Sequence, residues 1–467
     1  IDGTIHHLDY DGYAFNDSAL GGQYAKGALT GHIDAEAANI KLSDQWDGVT
    51  MGGYLLADFT GHNLNDLQGD VHISNFSLSA TEKKPAYYLD HLDLSSNFDE
   101  GIHFLKLNSD FAEAEVSGQF DYATLLQSIV SALGSKLPTL PGLPKYSRQS
   151  NNNFALHLLF TKTDWLHRFL NIDLDLPKPV LLEARVNDKT HELFLDGHMP
   201  AFTYNGTRYA DGIIRITSPV DTMKCEASIT TFTDNGHNLG LKLLANASQN
   251  NLTTTLRWDN HFPEKQMSGE FNAIMQLYRN LADKPEAHVR VQPSHIILNN
   301  STWNVEPSDI IYHDNYLLVD HFSLHHNQQH IIIDGIASKH ENDSLTVDLN
   351  EVEVGYILDL VNFHSVEFSG KATGRAHASS LLGKFAANAD LRVDDFKFER
   401  GYMGVLHAKA NWNQELEQID INAVADDGPD AKTLINGHVS PIHENIDLAI
   451  EAQGTAIAFM HHFTSSF

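Results

Sequence analysis

The sequence predicts an all-β protein, an elongated antiparallel sheet with a few short helices. Three observations point to this fold class. Apolar and polar residues alternate with a period of two, tight-turn dipeptides separate the alternating runs, and a glycine-containing unit recurs at the start of many strands. Short strands joined by tight turns form antiparallel meanders, because parallel strands need long crossover connections.

The alternating runs are the clearest strand signals. In one of them Leu391 and Val393 alternate with charged residues, and Phe396 and Phe398 do so again after the phase slips by one residue. The slip predicts a β-bulge at Asp394–Asp395. Successive strand residues point to opposite sides, so each run would have one apolar face. The candidate apolar face comprises Leu345, Val347, Leu349, Leu391, Val393, Phe396, Phe398, Ile419, Ile421, Ile446, Leu448 and Ile450. The intervening residues expected to face water are Thr346, Asp348, Arg392, Lys397, Asp420 and Asp447.

Tight-turn dipeptides mark the ends of many of these strands. Asn and Asp tolerate positive φ, and a following Gly completes a two-residue hairpin turn. The dipeptides of this kind include Asp11-Gly12, Asp47-Gly48, Asn205-Gly206, Asp211-Gly212, Asn235-Gly236 and Asp427-Gly428. They favour hairpins between neighbouring strands.

A second recurring unit consists of an apolar residue, a polar residue and Gly. Its copies end at Gly118, Gly197, Gly269, Gly335, Gly370 and Gly437. The copies at Gly335 and Gly437 lie roughly 100 residues apart, and in both a strand and then a short helix-like apolar segment follow. The helix-like segments cover residues 121–133, 163–170, 355–361 and 456–463. Recurrent units that stack on their neighbours are typical of quasi-linear folds.

One interruption divides the predicted sheet. Pro138, Pro141 and Pro144 fall close together, and an Asn-rich stretch follows at Ser150–Asn153. Proline cannot donate to a strand ladder, so we expect a loop or lid over residues 134–153. This loop would separate an N-terminal part of the sheet, residues 1–133, from its continuation over residues 154–467.

Composition excludes several classes of function. The chain has 61 acidic and 31 basic residues, a formal charge of -30, which argues against nucleic-acid binding and disfavours flat docking onto anionic lipid headgroups. Cys225 is the only cysteine, so neither an intrachain disulfide nor a thiolate metal cluster is possible. No run reaches the roughly 18 apolar residues of a membrane span. We expect the chain to be a segment of a longer protein whose targeting signal and any anchor lie outside it.

Histidines and carboxylates are abundant, but their spacing indicates neither a metal site nor catalysis. The histidine pairs are His6-His7, His325-His326 and His461-His462, and the acidic pairs include Asp394-Asp395 and Asp426-Asp427. Adjacent strand residues point to opposite faces, so a histidine pair rarely chelates one ion. Acidic pairs at turns fit solvated strand ends better than the carboxylates of a glycosidase. Nucleophile-elbow, P-loop and dinucleotide motifs are absent. We therefore expect no enzymatic activity, no metal and no cofactor.

The short helix-like segments have two interpretations. They could be ordinary core helices, or they could lie across an open apolar face and partition it. An antiparallel sheet of amphipathic strands must cover its apolar face, and helical material is too sparse here to cover every strand. The sheet would therefore fold on itself or leave a groove for an apolar ligand.

Three passages are similar to a known family. One runs from Phe368-Ser369-Gly370 to Phe385 and into the strand Ala389–Phe398. Another runs from Val289 through Trp303–Ser308 to Gly335, and the third joins Ile435–Val439 to Phe459–Phe467. They resemble the TamB family, of the Bacteroidetes type, within the AsmA-like and bridge-type lipid-transfer proteins. The resemblance rests on glycine-turn-strand patterns and includes no catalytic signature.

The resemblance implies a periplasmic protein held in the inner membrane by an anchor outside this chain. Its sheet would curl into a U-shaped, taco-like section with an apolar inner surface. That groove would shelter phospholipid acyl chains between the inner and outer membranes. The family also assists outer-membrane protein assembly with an Omp85-type barrel, a partner that would be contacted through parts outside this chain.

Two other functions compete with this expectation. A structural or adhesive surface β-protein would lack a continuous apolar inner face and would hold no lipid. A β-helix polysaccharide-active enzyme would show short regular coils and converging acids, and neither is visible in the sequence.

Overall fold

In the computed structural model the chain divides into two compact units, Ile1–Asn250 and Asn251–Phe467. The structure describes residues 2–10, 13–25, 28–41, 49–62, 64–140, 150–219, 221–232, 237–281, 283–356, 368–398, 401–428, 431–440, 442 and 445–454. Antiparallel strands make up most of each unit, accompanied by short helices. The predicted all-β, antiparallel fold class is confirmed.

The first unit is a meander in which strands pair mainly with their chain neighbours. Its strands are β1 (Asp2–Tyr10), β2 (Tyr13–Ala25), β3 (Ala28–Lys41), β4 (Thr50–Gly61), β5 (Gln68–Leu78), β6 (Tyr87–Asp99), β7 (Ile102–Ser109), β8 (Ala112–Gln119), β9 (Asn153–Phe160), β10 (Leu174–Asp175), β11 (Val180–Asn187), β12 (Glu192–Tyr204), β13 (Thr207–Ser218), β14 (Met223–Phe232) and β15 (Asn238–Ser248). β9 pairs with both β8 and β11, and the short β10 pairs with the end of β12.

The second unit repeats this arrangement. Its strands are β16 (Asn251–Asp259), β17 (Met267–Arg279), β18 (Pro285–Leu298), β19 (Ser301–Val305), β20 (Ser308–His313), β21 (Tyr316–His326), β22 (Gln329–Ala337), β23 (Ser344–Glu353), β24 (Phe368–Ser379), β25 (Ala386–Phe398), β26 (Gly401–Asn413), β27 (Gln418–Asp426), β28 (Lys432–Ser440) and β29 (Asn445–Gln453). β19 and β20 both pair with β18 and β21, so they act as one strand interrupted at Glu306–Pro307. Pro307 lacks the N–H that would continue the ladder.

Helical segments are short. A 3-10 turn at Tyr122–Thr124 leads into α1 (Leu125–Lys136), a π-helical turn spans Leu166–Leu170, and further 3-10 turns lie at Leu64–Asp66 and Pro263–Lys265. The segments predicted at 121–133 and 163–170 are thus helical. Residues 354–356 are also helical, whereas 357–361 and 456–463 lie outside the described residues. No helix within the described ranges is long and apolar enough to cross a membrane.

Hydrogen bonds fix the start of α1. The Asp121 carboxylate accepts from the Ala123 N–H at 2.9 Å, as N-terminal caps do. The side chain of the buried Asn152 accepts from the Asp121 N–H at 2.9 Å and donates to Thr124 and Ser128 at 3.1 and 2.7 Å. Within the loop expected over residues 134–153, α1 extends to Lys136, and residues 141–149 lie outside the described ranges.

The β-bulge predicted at Asp394–Asp395 is present. Val393 lies opposite Leu406 and Phe396 opposite Gly404, so β25 carries one extra residue there, and Asp395 has φ +54°. The bulge keeps Val393 and Phe396 on the same face.

The recurring glycines allow close approach between strands. Gly437 has φ +152°, and a Cβ there would lie 2.0 Å from the Asp447 carbonyl oxygen of β29. Gly335 has φ +120°, and a Cβ there would lie 2.2 Å from the Ser344 carbonyl oxygen. Glycine therefore permits local backbone geometry that other residues would block.

Candidate apolar binding surface

A lateral row of small and aliphatic side chains crosses β23 to β29 in the second unit. Directly opposed residues in antiparallel strands share a face. From Val347 the register passes through Ala376, Ala389, Ala410, Ile421 and Gly437 to Leu448. We call this the Val347 row. It contains no charged residue.

All the predicted apolar-face residues lie on the face that carries the Val347 row. Leu349 aligns through Gly374 with Leu391, and onward through Ala408, Ala423 and Ile435 with Ile450. Ile419 aligns through Val439 with Ile446, and Leu345 aligns with Ala378 and Ala387. The bulge brings Phe396 and Phe398 onto this face beside Val393, where the three belong to one buried cluster.

Burial on this face changes along the strands. At one end, which we call the closed end, Val352, Val393, Phe396 and Ala425 are at most 4% exposed. At the other, the open end, the members of the Val347 row and Ile419 are only partly buried, and Ile446 is 37% exposed. The same trend appears within β27, where Ala425 and Ala423 are buried but Ile421 and Ile419 are not. The apolar face is therefore a packed core at one end and a partly exposed surface at the other, where Val347, Ile421 and Leu448 still contact the buried clusters.

The opposite face is polar. Asp348 accepts from Arg375 Nε at 2.6 Å and lies 2.8 Å from His330 Nε2. The hydrogen bond with His330 and then that with Arg375 lower the pKa of the Asp348 carboxyl. The residues expected to face water, Thr346, Asp348, Arg392, Lys397, Asp420 and Asp447, all point to this side by register. Charge and apolar surface are thus separated across the sheet.

The helical turn after β23 lies across the apolar face. Val354 packs against the cluster that contains Val393, whereas Tyr356 packs against the cluster that contains Trp303. The Tyr356 ring meets Trp303 edge-on at 6.3 Å, and its hydroxyl donates to the Leu298 carbonyl at 3.3 Å. Burial raises the Tyr356 pKa. This turn connects two apolar clusters, as a partition across the face would.

Helices also lie on the apolar face of the first unit. Ile129 and Leu133 of α1 pack against a buried cluster that includes Phe154 and Leu193. The helical turn Leu166–Leu170 follows Trp165, whose ring stacks on Phe160 at 6.2 Å. Away from these helices, one row runs through Ile214, Ala227 and Leu243, and Ile214 and Leu243 are 38% and 37% exposed. Here too the apolar face is only partly covered.

Cys225 also lies on that face. It aligns with Ile216 on one side and Ala245 on the other and is half-buried. Burial raises the pKa of its thiol. A single thiol at this position is a natural attachment point for a reporter of apolar surroundings.

The histidine and acidic pairs have structural surroundings. His325 lies 2.7 Å from the Ser323 hydroxyl, whereas its neighbour His326 packs against Trp303, and so the two rings lie on opposite sides of β21. Asp394 accepts from Arg392, and Asp426 accepts from the Gly428 N–H of a turn. Across the described ranges, no three His, Cys, Asp or Glu side chains are placed to hold a metal ion. His6 and His7 lie in β1, and the His461-His462 pair lies outside the described residues.

Several residues of the apolar face were not singled out from the sequence. Val291, Trp303 and Val305 in β18 and β19 are almost fully buried in one cluster with Leu349. The alternation of Trp303 and Val305 with polar residues is a signal that could have identified them.

The comparisons with known proteins leave the family open. The chain matches no protein-family model and no curated protein. Its function therefore has to be inferred from the surfaces described above.

Proposed function

We propose that this chain is a periplasmic segment of a TamB-like envelope protein and that its apolar face shelters phospholipid acyl chains between the inner and outer membranes. One observation carries this proposal. On the apolar face of β23 to β29, side chains are buried at the closed end of the strands and only partly buried at the open end, where the Val347 row has no charged side chain. An ordinary core would be packed at both ends. A charge-free apolar surface that stays partly exposed is typical of a site for an apolar ligand.

The chemistry of the open end suits an acyl chain. Four of the seven members of the Val347 row are Ala or Gly, which leaves space above the sheet. Each methylene removed from water contributes about 0.8 kcal/mol. A surface without polar groups holds every register of an acyl chain about equally well, so the chain can slide. The protein would act passively, without catalysis and without a cofactor.

The proposed partners follow from the same role. An anchor in the inner membrane and an Omp85-type outer-membrane barrel would be reached through parts outside this chain. An unfolded outer-membrane strand also has an apolar side, so assistance in protein assembly would use the same face. No contact with nucleic acid is proposed, in keeping with the net charge of -30.

Photo-crosslinking tests the proposal directly. A benzophenone side chain that replaces Val347 or Leu448 should capture lipid in cells, and one that replaces Asp348 or Asp447 on the polar face should not. Mass spectrometry of the adducts and of an organic extract of the purified protein identifies the cargo. Equal capture from both faces would refute the proposal. An empty extract with no adduct would favour a structural or adhesive β-protein, and peptide adducts would favour protein assembly.

Cys225 allows a second measurement in the first unit. A polarity-sensitive dye on this thiol should shift to the blue when lysophospholipid is added and return when delipidated albumin removes it. The matched control is the double variant Cys225→Ser, Glu226→Cys, whose single thiol points to the opposite face, and a dye on it should not respond.

A further inference from the structure

A cavity of about 360 Å³ lies at the start of α1 in the first unit. Its walls come from the hairpin between β6 and β7, the end of β8, the residues just before β9 and the 3-10 turn before β5. This volume is at the lower end of the range for small-molecule sites, so it suits a ligand of one or two rings. We call it the α1 cavity.

Aromatic rings form one side of the α1 cavity. Phe98 and His103 are directly opposed on β6 and β7 with ring centroids 4.6 Å apart, and the Phe120 ring lies 5.1 Å from that of His103. Gly118 lies opposite His103 on β8 and adds no side chain there. Such rings offer an apolar surface to the C–H groups of a ligand.

His103 has a ring nitrogen that lacks a partner. The residue is 2% exposed, and among the residues that the structure describes none forms a hydrogen bond with its Nε2. Burial lowers the pKa of His103 against smaller opposite effects of the Phe120 backbone and Asp66, so the imidazole is neutral at pH 7. A buried polar atom without a partner costs free energy. A ligand hydroxyl would satisfy Nε2 in either tautomer, because a hydroxyl can both donate and accept.

Amide side chains also line the α1 cavity. Gln119 and Asn151 are exposed, and within the described ranges neither side chain forms a hydrogen bond. Asn65 and Asn152 are instead fixed, since Asn65 accepts from the Tyr122 N–H at 3.2 Å and Asn152 holds the start of α1. The cavity is therefore preformed, and it presents two amides that are each able to donate and to accept.

The charges around the α1 cavity disfavour an anion. Asp121 lines it, Asp66 lies close enough to affect the pKa of His103, and no lysine or arginine is among the described residues of its wall. The Asp121 carboxylate already accepts from the Ala123 N–H. The polar groups left for a ligand, on His103 and the two exposed amides, are therefore uncharged.

We propose that the α1 cavity binds a neutral saccharide unit. Its hydroxyl groups would pair with His103 Nε2 and with the amides of Gln119 and Asn151, and its C–H face would lie on Phe98 and Phe120. The unit would be a free sugar or the headgroup of a glycolipid, since Phe120 also belongs to a buried apolar cluster of this unit. This site does not depend on what occupies the apolar face.

Titration of the full chain with neutral methyl glycosides tests the site. At least one of methyl glucoside, galactoside and mannoside should bind with a dissociation constant on the order of 1 mM, measured by ligand-observed NMR. Gln119→Ala with Asn151→Ala should weaken binding about tenfold. The melting temperature should not fall, because both side chains are exposed. Asn97→Ala is the matched control, an exposed amide next to Phe98 whose side chain points to the other face of β6, and it should bind like the wild type.

A variant of His103 tests the unpaired nitrogen. His103→Phe keeps an aromatic ring and removes Nε2, so it should also weaken binding about tenfold. If His103→Phe does not fold, the double amide variant still decides. The proposal is overturned if none of the three glycosides binds or if Asn97→Ala loses as much affinity as the double variant. Glucosamine or glucose 6-phosphate binding more than about tenfold tighter than glucose would overturn it as well, because the site would then be one for an ion.

Two glucosides distinguish the sources of the saccharide, and either result supports the site. Octyl glucoside below its micelle concentration should bind more tightly than methyl glucoside if the natural ligand is a lipid headgroup, and the double amide variant should lose that binding. Equal affinities would identify a free sugar. The response of the Cys225 dye to lysophospholipid should persist in all these variants, which separates failure of the saccharide site from failure of the apolar face.

Discussion

Val347 in β23 and Leu448 in β29 lie in the same lateral row of the sheet, although five strands separate them. The residues between them are Ala, Ile and Gly, so the row is apolar along its length. A ligand lying along the row would run across the strands and touch each one at a single residue. Substitutions far apart in sequence should therefore have the same effect on binding.

A charge should be tolerated at the open end of the apolar face and not at the closed end. Val347 is partly exposed, so Val347→Asp should cost only about 1 kcal/mol of unfolding free energy, because the carboxylate reaches water. Val393 is 4% exposed, and Val393→Asp should cost about 4 kcal/mol or more. Urea unfolding measures both. Similar costs at the two valines would show that the face is an ordinary core.

Gly437→Ala should destabilise the second unit by about 2 kcal/mol. The new methyl group would meet the Asp447 carbonyl oxygen at 2.0 Å with φ at +152°, a conformation open almost only to glycine. Gly355→Ala is the control, because a Cβ there has no neighbour within 4 Å. Thermal unfolding of the two variants should separate them, and equal melting temperatures would contradict the close approach of β28 and β29.

Asp348 should contribute to the dependence of stability on pH in acid. Its pKa in the folded chain lies below the ordinary 3.8, first because of His330 and then because of Arg375. Between the two values the unfolded chain binds more protons, so stability rises with pH there. The contribution is complete above about pH 5 and is lost as the pH falls through the folded-state pKa. Asp348→Asn should therefore reduce the change in the urea unfolding midpoint between pH 2 and 5. Asp447→Asn, exposed on the same face, is the control, and an equal reduction there would remove the special role of Asp348.

Asn152 should control the position of α1 over the apolar face. It is 2% exposed and forms side-chain hydrogen bonds to Asp121, Thr124 and Ser128. Asn152→Ala would leave buried polar groups without partners, at a cost of about 2 kcal/mol. It should also increase binding of the dye ANS, because α1 would open from the cluster it covers. Its exposed neighbour is the control: Asn151→Ala should change neither the stability nor the binding of ANS. If Asn152→Ala also changed neither, α1 would be held by its apolar contacts alone.

The sequence was sufficient to predict which face of its strand each apolar residue lies on, but not how deeply that residue is buried. A period of two assigns Leu391 and Val393 to one side, and the phase slip shows how Phe396 stays with them across the bulge. The same pattern cannot tell that Val393 is buried while Leu391 is only partly so, because that depends on how Val354 and Phe368 pack from other segments. Val352 escaped notice for a local reason. Glu351, with φ +50°, adds one residue to β23 just before Val352 and so breaks the alternation of apolar and polar residues there.

Sequential pairing has a consequence for how the chain folds. From β21 to β29 every strand pairs with the strand just before it. Apart from the connection between β23 and β24, each new ladder closes a short loop, so little chain entropy is lost at most steps. Strands can be added one at a time to a finished edge as the polypeptide emerges. The growing edge always exposes unpaired N–H and C=O groups, so a stalled chain would end in a surface prone to aggregation. The rate at which the next strand emerges and covers the growing edge, more than the stability of any single hairpin, should therefore decide how much of this protein reaches its folded state.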